Sequence, residues 1–413
     1  MQTANANVVF GASGHRPVVM LAATCLWPSA AKLAIALARD GAEVVAVARS
    51  NHPLNQTEAV RRFFPYSAIT PLQSLAAAIR KSAPDLIIPC DERAVAHLHR
   101  LHHRARDASA KAMIERSLGA AESFSATLAR GPFMELCERI RLRTPASRRV
   151  RDLSDLEAWA ARQPFPWALK ADGSWGGLGV RIVSNIQEAA LALRMLNQPI
   201  SLRFALRQLV TRQDWFWLVA RLDWSRPEII AQAFVEGRAA TCAVAAWRGE
   251  VVGAIQGQTH DQANSTGPSS VIDLIAEPVM AEAAQRVVRA LELSGLVGFD
   301  FIIEAGTNTP YLIEMNPRST PMCHLQLGAG RDLVGALLAR LNGVPAPDRL
   351  PVTTNTTIAL FPDALARDPN NPLLNTAYHD VPSEEPALVR AILRQARVQA
   401  DGGRPVSSHP RTA

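Results

Sequence analysis

Lysine is almost missing from this chain: of 44 basic residues only Lys32, Lys81, Lys111 and Lys170 are lysine, and the rest are arginine. Cysteine is scarce too. Cys25, Cys90, Cys137, Cys242 and Cys323 are odd in number, widely spaced and free of any CxxC pair, which argues against a disulfide framework or a zinc site. Reduced thiols of a cytoplasmic protein are the expectation. No apolar run is long enough to cross a membrane. The nearest candidate, PVVMLAATCLW (17–27), also mimics a signal-peptide core but reads better as a strand. The net charge of +7 is scattered, as in RIRLRTPASRRVR (139–151), and no basic run carries interleaved aromatics, so nucleic acid is not an expected partner.

What is present is an ordinary globular composition, 48% hydrophobic and 20% charged, over 413 residues. That length predicts two or three domains. Strand, helix and strand follow in VVMLA (18–22) and PSAAKLAIALARDGAEVVAVA (28–48), with Gly41 suited to the helix end, making a βαβ unit and hence a parallel sheet. PDLIIPCDE (84–92) reads as a later strand with Asp91 and Glu92 at its carboxyl end, where ligands gather in such sheets. Capping of the next helix is an equal reading for these acids. VVFGASGH (8–15) resembles a dinucleotide-binding turn, but it lacks the full G-x-G-x-x-G and Pro17 interrupts the expected helix.

Residues 101–130 read as a polar helical connection, followed by a helix over FMELCERIRL, a glycine hairpin, a helix near 186–197 and then strands. IIAQAFVEG (229–237) is a strand, TCAVAAWRGEVVGAIQGQT (241–259) two strands turning at Arg248-Gly249, and 277–293 a helix. The final segment is rich in proline and ends in DGGRPVSSHPRTA, a disordered tail by composition.

Two stretches carry chemistry. In WALKADGSWGGLGVRIVS (167–184) a strand ends on Lys170, and four glycines (Gly173, Gly176, Gly177 and Gly179) precede the returning strand. Such density of a residue that costs conformational entropy implies that backbone approaches a ligand. Backbone N–H groups of this kind wrap phosphate, with lysine as a point charge. In GFDFIIEAGTNTPYLIEMNPR (298–318) two strands, 298–304 and 311–316, make a hairpin. Alternation puts Phe299, Phe301, Ile303, Tyr311, Ile313 and Met315 on one face, and Asp300, Leu312, Glu314 and Asn316 on the other. Asp300 then falls opposite Glu314 or Asn316, and two carboxylates that close need a cation between them. Oxygen-only ligands suit magnesium or manganese, and magnesium in turn asks for a polyphosphate. The lysine precedes the glycines and a strand follows, the reverse of a Walker P-loop.

These motifs, in this order, resemble the ATP-grasp superfamily of carboxylate–amine and carboxylate–thiol ligases, which includes biotin carboxylase, carbamoyl-phosphate synthetase and glycinamide ribonucleotide synthetase. The likeness covers roughly 125–345. It implies an α/β and α+β chain: a Rossmann-like parallel-sheet domain (1–120), a lobe with the glycine hairpin (121–230), a metal-bearing lobe (231–345) and a C-terminal extension (346–413). It implies that Lys170 contacts the ATP phosphates while Gly173, Ser174, Gly176, Gly177 and Gly179 close over them. By the same likeness Asp300, Glu314 and Asn316 hold Mg2+ or Mn2+, and Arg318 steadies the phosphorylated substrate. Gln232, Ala233, Phe234 and Val235 match the hinge that reads adenine, and TGPSS (266–270) a loop lining the acceptor pocket. Three positions depart from the family: Arg130 stands for a lysine, Gln232 for a glutamate, and Ala239 for the ribose-binding acid.

The implied activity is ligation of a small-molecule carboxylate to an amine through an acylphosphate, in a homodimer as is common in the family. Bicarbonate-using carboxylation or carbamoyl-phosphate formation is an alternative, although no biotin-accepting M-K-M is present. A nucleotide-binding regulatory module with decayed chemistry is another, motivated by Gln232 and Ala239. Trp175 at the loop tip is a candidate lid contact. His260 and His324 read as structural or solvated, and Cys323 has no evident base partner.

Overall fold

The computed structural model describes residues 16–173, 179–212, 214–222, 224–260 and 270–401. The N-terminal segment alternates β1 (Val18–Ala23), α1 (Ser29–Arg39), β2 (Glu43–Ala48), β3 (Val60–Pro65), α2 (Pro71–Ser82), β4 (Leu86–Pro89), α3 (Glu92–Arg104) and α4 (Ala108–Leu118). Its four strands are all parallel, in the order β3-β2-β1-β4. Val19, Leu21, Ile88 and Val44 pack on α1, and Met20, Val45 and Ile87 pack on α2 to α4. Both faces are covered, which is why these strands read as apolar runs rather than alternating ones. Gly41, at φ +92°, makes the reversal after α1 that a side chain would resist. The GASGH turn lies outside the described residues.

The middle of the chain comprises α5 (Phe124–Leu128), α6 (Arg130–Arg139), β5 (Ser147–Arg149), α7 (Leu153–Ala160), β6 (Trp167–Ala171), β7 (Val180–Val183), α8 (Ile186–Leu196), α9 (Leu202–Arg212), α10 (Phe216–Leu222) and β8 (Ile229–Ala233). Its antiparallel sheet runs β5-β8-β6-β7 over a core of Trp167, Leu156, Leu169 and Ala231. Two helices, α9 and α10, stand where strands are expected after 197. The apolar residues Leu202, Leu206 and Val210 of α9 lie exposed, yet with Ala205 and Leu209 they recur at helical spacing, so the sequence carried a helix signal that the expectation of strands missed.

The third segment holds β9 (Gly237–Trp247), β10 (Glu250–Thr259), β11 (Val271–Leu274), α11 (Pro278–Ala290), β12 (Gly295–Glu304), β13 (Pro310–Asn316), α12 (Leu333–Asn342), β14 (Thr357–Ala359), α13 (Asp363–Arg367), α14 (Leu373–Thr376), β15 (Tyr378–His379) and α15 (Pro386–Asp401). Its seven-stranded sheet is ordered β13-β12-β9-β10-β11-β14-β15. Arg248 and Gly249 turn between β9 and β10 with φ of 50° and 81°, the paired left-handed conformation of a tight hairpin. The stretch expected as one strand, 229–237, is split: β8 ends at Ala233 in the middle sheet, and β9 begins at Gly237 in the large one.

The proline-rich C-terminal segment is built into the fold as far as residue 401. Leu388, Ile392, Phe361 and Ile358 are buried in one cluster with β1 and α1. Lys32 of α1, itself buried, donates to the Phe361 carbonyl at 2.8 Å and pairs with buried Asp380. The tail 402–413 lies outside the described residues, among which no helix is long and apolar enough to cross a membrane.

Three histidines are held neutral in the N-terminal layer. Burial lowers the pKa of His52 and His97 to about 4 and that of His99 to about 3. His97 meets Tyr66 Oη at 3.0 Å, and His99 stacks on Phe124. An unfolded histidine titrates near 6.5, so between that pH and about 4 the unfolded chain binds more protons than the folded one. Stability is therefore fully present above about pH 6.5 and falls below it, by up to about 1.4 kcal/mol per pH unit for each histidine. Thermal melts from about pH 7 down to about pH 5 should show a steep fall in Tm. A flat profile would contradict the neutral burial.

Candidate active site

Lys170 is the fourth residue of β6, between Ile230 of β8 and Val180 of β7, and its side chain is buried. Burial lowers its pKa to about 8, aided by Arg130 and opposed by Glu314 and Asp300. Arg130 opens α6 and ties three elements together. Its guanidinium donates to Glu314 Oε1 at 2.6 Å, to the Ala171 carbonyl at 2.8 Å and to Asp172 Oδ1 at 3.4 Å.

Asp300 of β12 and Glu314 of β13 are direct cross-strand partners, and Gly298 faces Asn316. Between these pairs and the rest of the hairpin the register slips, so that Phe301 faces Leu312 and Ile313 is the extra residue. This bulge corrects the expected apolar face: Leu312 and Met315 join Phe299, Phe301 and Ile303 in the core, while Tyr311 and Ile313 are only half-buried. It leaves Glu314 beside Asp300. Asn316 donates to Asp300 Oδ2 at 2.8 Å. Burial, then the charge of Glu314, raises the Asp300 pKa to about 6.

Arg318 follows. It donates to Glu92 through Nε at 2.8 Å and Nη2 at 2.7 Å, and to Asn316 Oδ1 at 3.3 Å, and it lies 4.6 Å over the Trp27 ring. Lys170, Arg130, Glu314, Asp300, Asn316 and Arg318 thus form one continuous row across the two lobes. Glu92, read from the sequence as an acid at a strand's carboxyl end, and Trp27, which the sequence did not single out, both contact Arg318 in that row. The signal available was position, since both follow strands of the parallel sheet. Asp91 is the capping acid, accepting from Ala94 N at 2.9 Å.

The other candidates are placed less directly. Gln232 is buried, and its amide nitrogen donates to Ser147 Oγ at 3.1 Å, within the protein. The N–H groups of Ala233 and Phe234 donate to the Ala146 and Pro166 carbonyls, within the protein. Phe234 is exposed where the chain crosses from the middle to the large sheet. Gly173 is exposed at φ +70°, and the Gly179 carbonyl accepts from Ala171 N at 2.9 Å to close the hairpin. Ser174, Trp175, Gly176 and Gly177 lie outside the described residues, as does the TGPSS loop except buried Ser270. Ala239 is exposed on β9 opposite Ile302. His260 pairs with Asp273, His324 lies 3.0 Å from Asp380, and Cys323 is buried with its thiol pKa raised by burial.

The row has a stability consequence. Asp300→Asn removes one of two adjoining carboxylates while keeping an acceptor for Asn316, and should stabilise the metal-free protein by about 1 kcal/mol. Arg130→Met should destabilise it, by removing the guanidinium that pairs with Glu314 beside Asp300 and leaving Lys170 as the remaining neighbouring cation. Urea melts of both variants without divalent metal check the opposite signs. A loss of stability in both would mean that the carboxylates are not in conflict.

The model of an ATP-grasp domain matches residues 217–321, the span from α10 through the hinge and the acid hairpin to just beyond Arg318. Among curated proteins none is similar in sequence. Solved structures of similar fold include an N5-carboxyaminoimidazole synthetase from Staphylococcus aureus with ADP, at 12% identity and a TM-score of 0.58 over 83% of this chain and 80% of that one. A biotin carboxylase from Campylobacter jejuni gives 14% and 0.60 over 81% and 72%. An L-amino acid ligase from Bacillus licheniformis gives 14% and 0.54 over 79% and 74%. The chain carries an ATP-grasp domain and takes the two-lobed ATP-grasp fold behind an N-terminal parallel sheet.

Proposed function

We propose that the protein is an ATP- and magnesium-dependent ligase that joins a carboxylate to an amine through an acylphosphate, releasing ADP and phosphate. The observation that carries this reading is the cross-strand Asp300–Glu314 pair with Asn316 beside it, flanked by Lys170 and Arg130 on one side and Arg318 on the other. Two carboxylates and an amide oxygen are hard ligands that fit Mg2+ or Mn2+, and a bound ion would bridge and neutralise ATP phosphates.

Lys170, strand-borne and buried, would hold a fixed charge against the phosphates, with Gly173, Ser174, Gly176, Gly177 and Gly179 covering them. Arg130 has donors enough to turn from Glu314 to a phosphate oxygen. Gln232, Ala233, Phe234 and Val235 would border the adenine. Arg318, fixed by Glu92 and Trp27, would stabilise the charge on the phosphoryl group as it reaches the substrate carboxylate. Positioning and charge suffice for this chemistry, with no covalent nucleophile. In this reading residues 1–120, 121–230, 231–345 and 346–413 are the leading domain, the glycine-hairpin lobe, the metal lobe and the extension. The five cysteines are all unpaired and buried, which supports a reducing, cytoplasmic setting.

A second reading, activation of bicarbonate as carboxyphosphate, is favoured by the carboxyaminoimidazole synthetases and biotin carboxylases among the similar structures, one of them solved in complex with MgADP and bicarbonate. ADP release separates the two. The ligase reading predicts ADP only when pools of carboxylic acids and amines are both supplied, and its loss in Glu314→Gln while the variant keeps the wild-type fold by circular dichroism. Release driven by bicarbonate alone would favour carboxylation. Full activity in Glu314→Gln would sink the metal assignment.

A further inference from the structure

A cavity of about 150 Å³ opens behind the acid hairpin, outside the row that runs from Lys170 to Arg318. Leu142, Phe301 and Pro310 give it an apolar wall, and Arg141, Arg143 and Arg286 stand around it with one acid, Glu282. Phe301 follows Asp300 on β12, so the two side chains leave opposite faces of the strand and the cavity lies away from the carboxylates. Its size is small beside the roughly 300–1,000 Å³ of pockets for drug-sized ligands, and suits a correspondingly small molecule.

The three arginines are held differently. Arg286, on α11, donates to the Ile140 carbonyl and pairs with Glu282 one turn earlier at 3.4 Å, which fixes its position. Arg143 lies 5.8 Å from the Tyr311 ring centre, and its carbonyl accepts from Leu312 N at 3.0 Å beside the edge strand β13. Among the described residues no carboxylate lies within ion-pair distance of Arg141 or Arg143. With Glu282 engaged by Arg286, the charges of the other two arginines are unanswered. The basic stretch 139–151, read from the sequence as scattered charge, thus lends two of its arginines to one cavity.

Arg141 also stands where a side chain is disfavoured. Helix α6 closes with Arg141 N donating to Glu138 O at 2.9 Å and Leu142 N donating to Cys137 O at 2.8 Å. That paired closure calls for a left-handed residue at position 141, where glycine is the usual occupant. Arg141 takes it at φ 54°. Glycine would do so without strain, so the structure tolerates strain while keeping a guanidinium at the cavity mouth.

We propose that this cavity binds a small molecule bearing one oxyanion group, carboxylate or phosphate, on a compact apolar body. The oxyanion lies between Arg141 and Arg143, whose planar donors match such groups. The apolar body lies against Leu142, Phe301 and Pro310. Its occupant touches the hairpin from the face opposite Asp300, so it is not the reacting substrate, and the site stands independently of the ligase reading.

The probes are benzoate and phenyl phosphate, titrated by calorimetry against wild type, Arg141→Gly and Arg143→Gln, with chloride at matched ionic strength. Wild type should bind at least one probe saturably, and both variants should bind it at least tenfold more weakly. Arg141→Gly should keep a Tm close to that of wild type, because relieved strain offsets the greater freedom of glycine in the unfolded chain. Whichever probe binds names the oxyanion. Wild type that binds neither probe, or an affinity unchanged in either variant, overturns the proposal. Should Arg141→Gly fail to fold, Arg143→Gln alone decides by the same outcomes.

Discussion

Everything at the centre of this molecule follows from two carboxylates that cannot be separated. Asp300 and Glu314 are paired across a hairpin, and Asp300 is buried enough for its pKa to rise to about 6. Like charges held this way require a cation. In the protein by itself the nearest is Arg130, reaching Glu314 from the start of α6. A stable fold would put apolar residues here. The conflict supports the metal site proposed here.

That requirement organises the larger architecture. Arg130 and Lys170 belong to the middle sheet's lobe and Asp300 and Glu314 to the large sheet, so the charge row spans both. The chain crosses between them at Phe234–Glu236. On the far side, the ion pair from Arg318 to Glu92 fastens the large sheet to the carboxyl edge of the parallel sheet. Lys32, Phe361 and Asp380 make a second, buried fastening to the C-terminal segment. Three sheets therefore meet at one row of charged side chains.

Much of this was legible in the sequence where local rules dominate. The βαβ unit and the turn at Arg248-Gly249 follow from periodicity and turn chemistry, while the hairpin left Asp300 opposite Glu314 or Asn316 and the bulge selects Glu314. That bulge, at Ile313, does not follow from either, because nothing in YLIEMN marks an extra residue, and it exchanges Leu312 for Tyr311 in the core. Helix α9 was legible and missed, since Leu202, Ala205, Leu206, Leu209 and Val210 recur at helical spacing, although Leu202, Leu206 and Val210 lie exposed. Glu92 was visible as a strand-end acid, but its partner lies 226 residues away, and no local pattern encodes such a pairing. The order within the proline-rich segment was hidden likewise, since Leu388 and Ile392 are buried by contacts to β1 and α1 that only the fold supplies.

The central claim is that Lys170 and the acid pair form one site for a metal–nucleotide complex. It is tested most directly by thermal-shift titration with ATP, with and without magnesium, on wild type and Lys170→Ala. At about a hundredfold excess over its dissociation constant, a ligand that binds only the folded state adds about 2.7 kcal/mol of stability. The account predicts a shift in wild type that needs magnesium and is lost in Lys170→Ala. No shift in wild type, or an equal shift in the variant, would contradict it.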